Sequence, residues 1–262
     1  MADPNWGIPQ ATIDEMRRRL RRSPLSPLVA AEPAYPNNEA QRTYVMNAVG
    51  DRNKTGIGPP PESLKRANPW LTELPEPSEL LLPDAEFDKV AAKIPGLKKY
   101  LGRPEADRRK VWLDCAKQHA ERKYLFGYCN LFSMITVGIL VAANSPLPPN
   151  LLVEWFAAGY GATGHMTVVI NRGLGSEESD PDTWGDHYLM IDYWYALQLG
   201  VEPLFRPRTR HSIEEKRRKG IKLDAHDDYR NFLDGRGRIK RVGSFRACEY
   251  SERIREKEEG KV

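Results

Sequence analysis

The chain has 262 residues, 40% of them hydrophobic, with 40 basic and 36 acidic side chains and a net charge of +4. That length fits one large domain or one domain with appendages, and the near-balanced charge gives no reason to expect nucleic-acid binding. The most apolar run, residues 131–143, falls short of the roughly 18 to 20 residues of a membrane span, and the N-terminal Met-Ala-Asp-Pro-Asn-Trp has neither the basic nor the apolar region of a secretory signal.

Three widely spaced cysteines, Cys115, Cys129 and Cys248, make no disulfide framework. The expectation is synthesis in a reducing cytoplasm, with export only by a route that needs no cleaved signal. Residues 1–83 are rich in Pro and Asn, and the pattern predicts two short helices there, over 11–22 and 38–49. Residues 51–61 and 74–83 read as loop. Residues 84–205 have clearer periodicity and form the expected catalytic core. Helices are predicted over 84–94, 107–125, 129–143 and 150–160, with Gly and Pro ending each of the last two. Two β-branched, apolar stretches follow as strands, 165–171 and 186–192. The polar connector 172–185 between them has the Gly, Ser, Asp and Pro content of a hairpin loop. Residues 193–199 then read as a short helix.

The segment 206–262 carries 18 Lys/Arg against 11 Asp/Glu, a local +7 that leaves −3 for the rest. Its apolar anchors, such as Ile213, Ile221, Phe232, Ile239 and Phe245, are sparse. It reads as a basic, charged covering segment or docking tail, with a further strand expected over 237–242.

Chemistry concentrates in the middle. Cys129 sits where a glycine-containing loop turns into an apolar helix. There the macrodipole and free N–H groups favour a thiolate and can bind an oxyanion. Pairing the two strands with Asn171 opposite Asp186 puts His165 opposite Asp192, on one face and within reach of a shared hydrogen bond. A one-residue slip would separate them. His187 is the rival base, but it lies five residues before Asp192, on the opposite face. Each residue also has a plain structural reading: Cys129 as core, His165 as a strand-end histidine, Asp192 as the N-cap of the next helix. The order and context of the three favour a Cys129, His165, Asp192 triad.

The runs Gly127-Tyr128-Cys129-Asn130-Leu131-Phe132-Ser133, His165-Met166-Thr167-Val168-Val169-Ile170 and Asp186-His187-Tyr188-Leu189-Met190-Ile191-Asp192-Tyr193-Trp194 resemble the papain-like and transglutaminase-like cysteine enzymes. They are most similar to the bacterial effector and toxin branch. The resemblance covers residues 124–199, under a third of the chain. It implies an α+β fold with a nucleophile helix packed on a small antiparallel sheet. Cys129 is then nucleophile, His165 base and Asp192 orienter. A second oxyanion donor is expected from Gln118 or Asn130. The implied activity is deamidation or transamidation of a glutamine in a target protein, with no cofactor. The implied partners are a host protein substrate and an immunity or chaperone protein. Two alternatives stay open: proteolysis by the same triad, and a non-enzymatic module acting through the basic tail.

Other features read as structure. Cys115 and His119 share a helix face but lack a second pair at metal-site spacing. His211, His226, Asp224, Asp227 and Asp228 form a polar cluster without ligand spacing. Gly173 and Gly175 belong to the hairpin loop, and the basic run 216–219 reads as a solvated helix face.

Overall fold

A computed structural model describes residues 8–22, 77–121, 129–142, 145, 147–149, 151–159, 165–199, 201–235, 238–247 and 249. The helix expected over 38–49 and the loop 51–61 lie outside them, as does Cys248.

The architecture mixes helices with a five-stranded antiparallel sheet. Strands β1 (Leu152–Ala158), β2 (His165–Ile170), β3 (Leu189–Ile191), β4 (Leu204–Phe205) and β5 (Ile239–Arg246) lie in the order β4-β3-β2-β1-β5. Helices α1 (Gln10–Arg22), α2 (Asp84–Ala91), α3 (Glu105–Glu121) and α4 (Cys129–Leu140) precede the sheet in sequence. Helices α5 (Tyr193–Leu199), α6 (Arg210–Arg218) and α7 (Ala225–Gly235) are interleaved with the later strands.

The segment expected as a helix over 150–160 is strand β1, next to the middle of the sheet. Its neighbours β2 and β5 pair along both edges. Burial on both faces explains the misreading. Val153 and Trp155 face one layer and Phe156 and Ala158 the other, so the run is apolar without the alternation of a half-exposed strand. Its one charged residue, Glu154, is 1% exposed. Arg172 grips it with two bonds of 2.9 and 3.0 Å, and Arg241 adds a third at 3.1 Å. The strand expected at 237–242 is present as β5, extending to Arg246 and pairing with β1.

The two faces bury separate cores. One holds Trp155, Val168, Ile170, Leu189 and Ile191 against α2, α3 and α4. Ile13, Met16 and Leu20 of α1 join it, so part of the N-terminal segment belongs to this core. An isolated 13-residue helix of this composition would be marginal in water. Three side chains at most 1% exposed supply what propensity lacks, at roughly 1.5 to 3 kcal/mol each. The other face packs Phe156, Val169, Met190 and Phe205 against Trp184 of the connector and Tyr229 and Leu233 of α7.

Helix α4 is buried on nearly all sides, from Leu131 to Gly138 without a break and again at Leu140. Gly138 lets it approach α3, where a Cβ would meet the Ala116 backbone. Arg108 of α3 is fully buried. It donates to the Leu80 and Leu82 carbonyls at 2.9 Å and to Asp84 at 2.7 Å, tying the Ser78–Leu81 turn to α3. Among the described residues no helix is long and apolar enough to cross a membrane.

Candidate active site

His165 opens β2 and Asp192 follows the last residue of β3, so both stand at one end of the sheet. The register differs from expectation. Val168 pairs with Ile191, Val169 with Met190 and Ile170 with Leu189, which is two residues from the expected alignment. A shift of two preserves the face, because side chains alternate with a period of two. Continuing this register places Thr167 across from Asp192, with His165 one diagonal step along the same face. The imidazole covers that step: His165 Nε2 bonds Asp192 Oδ2.

Asp192 serves two purposes at once. Its Oδ1 accepts the Tyr195 N–H at 2.9 Å, the N-cap contact of α5. Its Oδ2 accepts from His165 and from the Tyr229 hydroxyl at 2.8 Å. The N-cap contact and the imidazole contact of this residue use different oxygens.

With Nε2 committed, His165 has Nδ1 for another partner. The Cys129 thiol, half-buried at the start of α4, is near enough to His165 to favour its protonated form. His165 is 3% exposed, and burial is the largest single influence on its charge, opposing protonation. The Asp192 charge and hydrogen bond, followed by those of Cys129, outweigh burial and raise the imidazole to about 10. A protonated ring beside the Asp192 carboxylate is the state this environment favours.

His187 is exposed, and its carbonyl accepts from Asn171 Nδ2 at 3.0 Å. Gln118 is exposed on α3. Asn130 Oδ1 accepts the Leu131 N–H at 2.8 Å and so braces the first turn of α4. Asp224 and Asp227 are the two halves of a capping box on α7. Asp224 Oδ1 accepts the Asp227 N–H at 3.0 Å and Asp227 Oδ2 accepts the Asp224 N–H at 2.8 Å. His226 stacks on Phe205. Among the described residues no group of three or more His, Cys, Asp or Glu side chains could hold a metal ion.

Two residues of the site come from the segment read as a charged tail. Tyr229 and Phe232 lie on the inner face of α7. The Phe232 ring meets His165 edge-on at 5.0 Å, and the Tyr229 ring meets Tyr195 edge-on at 4.4 Å. Tyr229 is fully buried, and burial followed by the Asp192 charge holds its hydroxyl well above the ordinary tyrosine value, so it remains a donor. The helical spacing of Tyr229, Phe232 and Leu233 was the available signal; the surrounding charge masked it. Arg230 faces away from them into an acidic cradle, bonding Asp182 at 3.0 Å and Asp234 at 3.1 Å.

The chain matches no protein-family model, no curated protein and no solved structure.

Proposed function

We propose that the chain is a cysteine-dependent acyl-transfer enzyme with a papain-like or transglutaminase-like core, acting on a glutamine amide of a target protein. The observation that carries this reading is the His165 to Asp192 bond beside a thiol at a helix start, with the imidazole raised to about 10. A nucleophile, a base within reach and a group orienting that base are what thiol catalysis of acyl transfer requires.

The Cys129 thiolate attacks the amide carbon and forms a carbon–sulfur bond. The first-turn N–H groups of α4 face the developing oxyanion, and the Asn130 amide is a candidate further donor. His165 gives its proton to the departing nitrogen as the carbon–nitrogen bond breaks, and ammonia leaves. Water then attacks the thioester, His165 accepts a proton from it, and the thiolate is released. An amine in place of water gives transamidation. Asp192 holds the ring throughout. Action on a host protein as an exported effector follows from the resemblance in the nucleophile and strand motifs.

The test is iodoacetamide labelling of Cys129 across pH, read by peptide mass spectrometry. Fast labelling near neutrality that is lost in His165→Ala but kept in His187→Ala is the expected result. Labelling of Cys129 only after unfolding would end the catalytic reading. Ammonia release then separates glutamine chemistry from peptide cleavage, and loss of activity in Cys129→Ala separates both from binding by the basic segment.

A further inference from the structure

Asp192 has more partners than orienting one imidazole requires. Its Oδ2 is shared by His165 Nε2 and the Tyr229 hydroxyl, while Oδ1 is occupied by the Tyr195 N–H. Tyr229 is 0% exposed and Asp192 2%, so the contact is shielded from bulk solvent. The helix that brings the phenol in is itself clamped. Arg230, next in sequence and also 0% exposed, bonds Asp182 in the Pro181–Thr183 turn. Lys216 of α6 bonds Asp227 at 2.6 Å. These ion pairs fix α7 so that Tyr229 faces the sheet.

We propose that Tyr229 is a positioning residue of the triad: its hydroxyl fixes Asp192 Oδ2 and sets how strongly that oxygen grips the His165 ring. The proposal rests on the reading of Cys129, His165 and Asp192 as catalytic machinery. A carboxylate oxygen that already accepts a short O–H bond is a weaker acceptor for a second donor. With the phenol in place, the imidazolium is held but not trapped, and it can still release its proton to a leaving nitrogen. Without it, Oδ2 grips the ring harder, and the carboxylate is free to turn about the bond held by Tyr195. The titratable groups that face this contact are His165 from β2, Cys129 from α4, Tyr195 from α5 and Tyr229 itself from α7.

The experiment titrates His165 by NMR of the ring-labelled full chain, alongside Cys129 labelling across pH. It uses wild type, Tyr229→Phe, His165→Ala, and protein with 3-fluorotyrosine placed at 229. Tyr229→Phe should raise the His165 midpoint by about half a pH unit. The fluorinated phenol, a stronger donor of nearly the same shape, should lower it. Opposite shifts from two substitutions at one ring are not the signature of a packing role. Should Tyr229→Phe fail to fold, the fluorinated protein alone decides: a midpoint equal to wild type overturns the proposal. Reactive Cys129 with an unmoved His165 midpoint in both proteins overturns the role of Tyr229 and leaves the triad standing. A wild-type Cys129 indifferent to His165→Ala overturns both.

Discussion

Gly138 in α4 lies over the Ala116 carbonyl of α3 so closely that a Cβ built on it would stand 2.5 Å from that oxygen. Helix backbone cannot yield as a flexible side chain does. Gly138→Ala therefore has to separate the two helices, at a cost of about 1 to 3 kcal/mol despite the better helix propensity of alanine. Thermal melting checks this. Because α4 also carries Cys129 at its start, the labelling rate of that thiol should fall in the same variant. An unchanged melting temperature would mean that the helices separate without loss.

Glu154 offers a second test. It is 1% exposed, with Arg172 and Arg241 as its counter-charges. Glu154→Ala leaves Arg172, itself only 9% exposed, without its carboxylate. The expected loss is about 3 kcal/mol in urea denaturation. Glu154→Gln, which keeps the shape and an acceptor, should lose less.

The two oxygens of Asp192 can be separated by substitution. Asp192→Asn retains an oxygen for the Tyr195 N–H, so the α5 cap survives. Its amide then presents a donor to His165 Nε2, forcing the tautomer whose proton sits on Nδ1, facing Cys129. Asp192→Asn should therefore keep the α5 cap yet label at neutral pH about 100-fold more slowly. Asp192→Ala should lose that reactivity and about 1 kcal/mol of stability with the cap. Equal labelling rates in wild type and Asp192→Asn would remove the orienting role.

The raised imidazole has a consequence for stability. In the unfolded chain His165 titrates near 6.5 and in the fold near 10, so the fold binds more protons between those values. Its contribution is fully present below about pH 6.5 and is lost as pH rises through about 10. Wild type should therefore lose stability relative to His165→Gln across that window, and the difference should be flat below it. Paired denaturation curves at several pH values measure this. A difference that grows with pH would show the opposite sign and refute the assignment.

Much of the placement of Cys129, His165 and Asp192 could be read from three short runs, because each residue type sat at a boundary that fixes direction: Cys129 at a helix start, His165 opening a strand, Asp192 closing one. The strand alignment was two residues out. Nothing in the alternation distinguishes registers that differ by an even number, and the connector 172–185 is too long and too structured to set the count as a two-residue turn would. β1 was misread because a strand buried on both faces has no period to detect. Tyr229 was missed for another reason. Its helix is acidic and basic on its outer side, and only the tertiary position of α7 shows that the inner side meets Asp192.

Strand β5 pairs with β1, joining Leu152 to Arg246 and Ala158 to Ile239. During synthesis β1 emerges long before its partner, and the hydrogen-bonding edge that β5 will cover stays open meanwhile. Helix α7, which delivers Tyr229 to Asp192, also arrives late. From the emergence of His165 until that of α7, Asp192 lacks its Tyr229 partner. The outer edge of β1 and the hydrogen bonding of Asp192 are thus both completed by the C-terminal elements α7 and β5.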